Sequence, residues 1–304
     1  DIHINYLRDF GKHNVNATAV YEYNDFTNGN FSAKGQNYLI SQELDNNLGG
    51  GNPALNSIGS YKESFKIISF LARVAYNYNS KYYATVSLRR DGSSKFGANN
   101  RWANFPSASV AWRISQESFL KDITWINELK INAGFGSVGN QDAISPYNTL
   151  LTLGGAGRFF DPTTSTYQYP QSYTPNQNAN PDLKWEERHG KNIGISFALF
   201  DSRLTGNINV YNDVTKNLLF TYNVPVPPFF YNSILANVGD LTNKGVEVQL
   251  GGDIVQGKKF SWSLNGQITF SRTRITSLSG EYAGYKIASD KVPVGYAEGI
   301  GYAN

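Results

Sequence analysis

Two adjacent carboxylates, Glu186 and Glu187, lie beside Trp185 and are the first candidates for chemistry, because paired acids flank the scissile bond in glycoside hydrolysis. Neighbouring residues of a strand point to opposite faces, so these two could not act on one bond from one side. They read as a solvated strand entry. The stretches Gly49-Gly50-Gly51 and Gly154-Gly155-Ala156-Gly157 lack the Lys-Ser/Thr pair of a phosphate loop, and no helix follows. They read as loop tips. Residues 25–30 are oxygen-rich but lack the full spacing of a calcium loop. Cysteine and methionine are absent, which excludes disulfides, Cys-based zinc sites, thiol nucleophiles and iron–sulfur centres. His3, His13 and His189 are too few for a His-rich metal site or a His-based triad. No acid, base, nucleophile and metal set converges, so neither an enzyme nor a resident cofactor or metal is expected.

Two other stretches suit binding. Residues 139–184 hold Phe159, Phe160, Tyr167, Tyr169 and Tyr173 among Asn, Gln, Ser, Thr and Pro. Residues 224–231 read Val-Pro-Val-Pro-Pro-Phe-Phe-Tyr, stiffened by proline and ending in Phe229, Phe230 and Tyr231. Aromatic faces beside amides and hydroxyls fit sugar rings or peptides. The alternative, aromatics that only pack the loops together, has equal standing here.

The elements that position these stretches are strands. In residues 260–270, Phe260, Trp262, Leu264, Gly266, Ile268 and Phe270 alternate with Ser261, Ser263, Asn265, Gln267 and Thr269. Period two puts one set on each side of a strand. The same alternation marks residues 15–24, 69–78, 82–89, 107–114, 129–136, 192–199, 204–210 and 246–250, with a partial strand at 2–7. That makes about ten strands, most near the ~9–11 residues needed to cross a bilayer.

The connections alternate in length. Short ones fall at 9–14, 79–81, 115–128, 200–203 and 252–259, and long ones at 25–63, 91–105, 139–191 and 213–244. Membrane barrels carry short turns at one end and long loops at the other. A soluble sandwich shares the period-two pattern. The wet face, however, carries Asn, Ser, Thr and Gly rather than the charges of a solvent-facing sheet. Charged residues are 17% of the chain, against ~25% in ordinary soluble domains. The expected fold is therefore all-β, an antiparallel transmembrane barrel wall. His189 then reads as a lumen or rim residue.

Aromatics reach 14%, and several cluster at strand ends where an interfacial girdle would sit. A net charge of +3 gives no footprint for nucleic acid. Mean hydropathy is −0.41, and the longest apolar run is four residues, so no membrane-spanning helix is expected. No signal peptide is visible. The chain begins with Asp1 rather than Met, and an excised piece of a longer protein is expected over a processed product.

Several motifs appear in one order along the chain. They are Phe10-Gly-Lys-His-Asn14 before Tyr21-Glu-Tyr23, Leu88-Arg-Arg-Asp-Gly-Ser-Ser-Lys-Phe-Gly97, Asn100-Arg-Trp-Ala-Asn-Phe-Pro-Ser107 and Ala111-Trp-Arg-Ile-Ser115. Residues 130–140 with a Gly-Asn-Gln turn, Asn180-Pro-Asp-Leu-Lys-Trp-Glu186, Leu199-Phe-Asp-Ser-Arg-Leu204 and Asn243-Lys-Gly-Val-Glu247 follow. Together they resemble the SusC/RagA family of TonB-dependent outer-membrane transporters. The resemblance implies that residues 1–304 are a central section of a 22-strand barrel, without the plug domain, the TonB-box segment or the terminal strands. It implies energised import of oligosaccharides or peptides at the outer membrane of a Bacteroidota-type Gram-negative cell. The implied partners are a SusD-like surface lipoprotein and the TonB complex. A siderophore transporter on the same barrel and a soluble carbohydrate-binding β domain are the rival readings.

Within that resemblance, Asp91-Gly92 is expected to form a turn. Arg89 is expected to face inward and pair with a plug carboxylate, and Arg73 and Arg113 are further plug-contact candidates. An unpaired backbone group in hydrocarbon costs several kcal/mol, so free strand edges demand neighbours. An open sheet is expected, with a closed ten-strand barrel as the alternative. Residues after 278 are expected to be the next outer loop.

Overall fold

Alternation over so many consecutive residues leaves the chain one economical solution: extended strands whose backbone groups pair sideways. The computed structural model describes residues 1–40, 46–160, 163 and 170–277, together with the short pairs Glu281–Tyr282 and Tyr285–Lys286. The region after 278 otherwise lies outside the described residues. Fourteen strands precede it: β1 (Ile2–Phe10), β2 (His13–Lys34), β3 (Ser57–Tyr78), β4 (Tyr82–Ser93), β5 (Trp102–Arg113), β6 (Ile126–Asn140), β7 (Leu153–Arg158), β8 (Gln171–Pro175), β9 (Glu186–Leu199), β10 (Leu204–Lys216), β11 (Leu219–Asn223), β12 (Ser233–Asn237), β13 (Asp240–Gln256) and β14 (Ser261–Ser277).

Ten of them make one antiparallel sheet in the order β1-β2-β3-β4-β5-β6-β9-β10-β13-β14. β1 and β14 lie at opposite ends of that order, so the sheet is open. The pairs β7–β8 and β11–β12 are separate hairpins in the long connections. Each of the ten expected strands is present.

Register makes the two faces continuous. One cross-strand row runs Arg8, Val15, Tyr76, Ala84, Val110, Ala133, Ile193, Val210, Val246, Phe270 through all ten strands. The next row, on the opposite face, runs Asp9, Asn14, Asn77, Tyr83, Ala111, Asn132, Gly194, Asn209, Glu247, Thr269. A one-residue slip in any strand would exchange its contribution to the two faces. Among the described residues no second sheet covers the apolar side: Val110 is 58% exposed, Ile193 56% and Phe270 63%. Two stacked sheets, as in a soluble sandwich, would have buried them.

Short turns close one end of the wall. Gly11 takes a positive φ in the β1–β2 turn, and Asn79 and Ser80 both do so between β3 and β4, as right-twisted hairpins favour. Between β9 and β10, Phe200, Asp201 and Ser202 share positive φ. Asn127 Oδ1 accepts the Ser202 N–H at 2.9 Å, and Phe200 stacks on Trp125. The connection from β5 to β6 is built from two short 3₁₀ turns, Ile114–Gln116 and Ser118–Leu120.

Two expectations are corrected. Much of the supposed loop 25–63 is strand, because β2 and β3 remain paired from Asp25↔Lys66 to Lys34↔Ser57 as a two-stranded arm beyond β4. Asp91-Gly92 is not a turn but the end of β4, pairing with Ser69 and Ile68 on one side and Ala103 and Trp102 on the other. The glycine serves packing there: a Cβ at Gly92 would lie 2.7 Å from the Trp102 ring.

The buried core sits at the long-loop end. Phe96, Phe105, Ile144, Leu183, Trp185 and Leu219 cluster there. They come from four connections or strand ends, so burying them ties the loops to the wall.

Candidate functional site: the polar face and the aromatic rim

Polar residues on the wet face pair mostly with each other. Arg89 Nε donates to both Asp91 oxygens at 2.8 and 2.9 Å, and its Nη2 donates to Glu22 at 3.1 Å and Ser69 Oγ at 2.9 Å. Arg113 pairs with Glu128 at 3.3 Å, and Arg188 pairs with Asp213. Arg73 lies exposed between Thr18 and Ser87 with no hydrogen bond or ion pair among the described residues. Toward β9 the face flattens. Gly134 and Gly194 leave room for the amides of Asn192 and Asn132, which a Cβ would meet at 2.7 and 2.9 Å. A shallow groove of about 260 Å³ between Tyr83, Lys130 and Asn192 results.

The acids Glu186 and Glu187 are separated, as alternation requires. Glu186 accepts Asn140 Nδ2 at 3.2 Å and the Leu219 N–H at 3.2 Å, while Glu187 meets His189 at 3.3 Å. His189 is half-buried toward the long-loop end, on the side of Ile193 rather than of Asn192, so it is a rim residue and not a lumen one.

The long loops join into one body through asparagine amides. Asn178 Nδ2 donates to Tyr231 O (2.6 Å) and Ser233 O (2.8 Å), and its Oδ1 accepts the N–H groups of Phe230 (3.0 Å) and Tyr231 (3.2 Å). Asn180 Nδ2 donates to Leu235 O at 2.8 Å, and Asn237 bonds both the N–H and C=O of Lys184. Segment 178–184 thus lines β12 by side-chain amides in place of a backbone ladder. Tyr231 Oη donates to Pro175 O at 2.7 Å, so Tyr173 on β8 and Tyr231 belong to one platform.

Tyr173, Phe230, Phe159 and Phe160 are at least half exposed or close to it, and Tyr231 is 41% exposed. Phe229 donates its N–H to Pro225 O. Tyr167 and Tyr169 lie outside the described residues. Packing alone therefore does not consume these aromatics. The welding asparagines were not among the expected site residues, although Asn180 opens a motif that the sequence displays.

Lys95, in the connection after β4, is 7% exposed, with its ammonium 4.2 Å from the Phe65 ring centre. Burial holds it below the ordinary lysine pKa, opposed by the carboxylates of Asp142 and Glu63.

At the edges of the apolar face stand two aromatic belts. Tyr78, Tyr82 and Trp112 stack along the short-turn end, and along the other Phe70 stacks on Trp102 with Tyr21 tilted against Phe70. Trp102 and Trp112 are the ends of one stretch of β5. At ~3.3 Å per residue, ten residues tilted ~40° span a height of ~25 Å, the thickness of a barrel's apolar band.

Residues 3–298 match the family described as TonB dependent receptor-like, beta-barrel. The chain belongs to the TonB-dependent receptor β-barrel family. Among curated relatives, it is 34% identical over 286 residues to TonB-dependent receptor P39 of Formosa agariphila, covering 91% of this chain and 26% of that protein. It is 32% identical over 258 residues to TonB-dependent receptor SusC of Bacteroides thetaiotaomicron, covering 80% of this chain and 25% of that one. The RagAB peptide transporter structure superposes with a TM-score of 0.79 at 25% identity, over 91% of this chain and 29% of that one. A ferric enterobactin receptor from Pseudomonas aeruginosa gives 0.53 at 18% identity over 88% of this chain and 35% of that one, a likeness of fold alone. The chain spans about a quarter of the length of the curated relatives it matches. In a TonB-dependent receptor barrel the apolar band is the lipid side and the polar face the interior.

Proposed function

We propose that residues 1–304 are a section of the wall of a 22-strand outer-membrane barrel that takes up oligosaccharides or peptides. A single open sheet with an apolar row unbroken from Val15 on β2 to Phe270 on β14, and a largely polar row on the opposite face, carries this reading. Its two edges pair with neighbouring wall strands, since unpaired edges in lipid are costly. The likeness to SusC and to the RagAB peptide transporter supports a SusC-type importer, energised through TonB and lidded by a SusD-like surface lipoprotein. Siderophore uptake has only the shared fold in its favour.

In this scheme the platform of Tyr173, Phe230 and Tyr231, flanked by Phe159 and Phe160, contacts substrate, and the short turns face the periplasm. Arg73, without a hydrogen bond or ion pair among the described residues, is a wall cation available to a plug carboxylate. Arg89 and Arg113 already hold wall carboxylates and would contact the plug only through their remaining N–H groups.

Growth of a deletion strain on defined glycans and on defined peptides as sole carbon source tests the reading. Loss of growth on one class, restored by the intact gene, is expected. Unimpaired growth on both classes, with loss of uptake of an iron chelate, would overturn it.

A further inference from the structure

The lipid-side face is not uniformly bulky. Where β10, β13 and β14 meet near the short turns, Gly252 pairs with Leu204 and Leu264, and Gly266 pairs with Leu250. These glycines leave a groove of about 530 Å³ walled by Leu204, Leu250, Ile254, Leu264 and Ile268. A Cβ at Gly266 would touch nothing within 4 Å, so the space is open and not filled by a neighbour. Its side-chain walls are aliphatic, the chemistry of a hydrocarbon chain.

Cations stand at its mouth. An irregularity of β13 between Asp253 and Val255 pushes Ile254 outward, and Arg203 caps it, donating from Nη2 to Asp253 O at 3.3 Å and Ile254 O at 3.2 Å. Lys258 and Lys259 occupy the adjoining turn, exposed and without an ion pair among the described residues. The two turns, 200–203 and 257–260, hold these three cations against one acid, Asp201. Asp253 belongs to the other face, where it pairs with Ser263 and accepts Gln256 Nε2 at 2.8 Å. Trp262, opposite Val255 and two residues before Leu264 on the same face, stands 51% exposed beside the groove.

An aliphatic groove ending in a cationic ledge complements a molecule with an acyl chain and an anionic head. We propose that this groove is a binding site for an anionic phospholipid of the periplasmic leaflet. Its acyl chain lies over Gly252 and Gly266, and its phosphate meets Arg203, Lys258 and Lys259. The site rests on the reading above that this face touches lipid and that the short turns face the periplasm.

Trp262 reports on occupancy. The intact receptor is placed in nanodiscs holding a small fraction of brominated-acyl phosphatidylglycerol or brominated-acyl phosphatidylcholine. Quenching due to Trp262 is taken as the difference from a Trp262→Phe receptor. Several-fold stronger quenching by the anionic lipid is expected. It should fall to the zwitterionic level in Lys258→Gln/Lys259→Gln, and again in Gly266→Leu, which fills the groove with a side chain that the open space accepts. Equal quenching by both lipids would overturn the site while leaving a lipid-facing wall. No quenching by either lipid would overturn the site together with the lipid-facing reading.

Discussion

The Arg89 guanidinium holds the Asp91 carboxylate at 2.8 Å from two residues away along the same strand, a pairing that alternation permits because both point to one face. Asp91 is buried, and Glu22 and Ser69 reach the same guanidinium from β2 and β3. Three strands are thus pinned through one side chain. Removing Arg89 leaves a buried carboxylate without its cation, a loss of about 1–3 kcal/mol. Arg89→Gln should lower the thermal midpoint of the detergent-solubilised receptor by a few degrees. Arg89→Gln/Asp91→Asn should recover a large part of that loss, since the buried partner is then neutral and only the part-exposed Glu22 carboxylate has lost its cation. Additive losses in the double variant would show that the pair is not a unit.

Much of the wall was legible because period two is a strong signal over ten strands, and the length alternation of connections told one end from the other. The arm was not legible. In residues 25–34, Asp25, Thr27, Gly29 and Phe31 alternate with Phe26, Asn28, Asn30 and Ser32, so neither face is apolar and the pattern fades. Only pairing with 57–66 keeps it extended. Asp91-Gly92 misled for a related reason: Asp-Gly is a turn signal locally, but a tryptophan on the next strand needed the space over a glycine. For the candidate site, the aromatics were visible as composition. The asparagines that position them were not, because an amide bonding a backbone 55 residues away has no local pattern.

Glu117 offers a pH test outside the membrane-spanning strands. Its Oε1 accepts Tyr82 Oη at 2.7 Å and Trp112 Nε1 at 3.1 Å, and its Oε2 meets Lys81 Nζ at 3.1 Å. The Tyr82 hydroxyl first, then Lys81 and Trp112, lower its pKa from 4.5 to about 2. A depressed carboxylate pKa adds stability above the unfolded value and loses it as pH falls through the folded value. The midpoint difference between the native receptor and Glu117→Gln should therefore be full above pH 4.5 and vanish near pH 2. Trp112 emission should shift over the same window as the acceptor of its indole N–H loses its charge. A difference that does not change with pH would mean that the carboxylate acts only as a neutral acceptor.

Asn178 should govern the order of the aromatic platform without touching the wall. Its four hydrogen bonds fill both donor and both acceptor positions of the amide, and all go to the backbone of 230–233. Asn178→Asp keeps the acceptors for Phe230 and Tyr231 but turns an anion toward two carbonyls, whereas Asn178→Ala loses all four bonds. Net values near 1 kcal/mol per bond make a loss of about 1.4 kcal/mol or more reasonable for either variant. That is about tenfold or more in a local opening equilibrium. Hydrogen exchange of the Phe230 and Tyr231 amides should accelerate by at least that factor in both variants. The Val246 and Val248 amides, held in the β13 ladder, should stay as in the native receptor. Unchanged exchange at 230–231 would show that the platform is held by Tyr231 Oη on Pro175 alone, and the Tyr231→Phe receptor would then carry the whole effect.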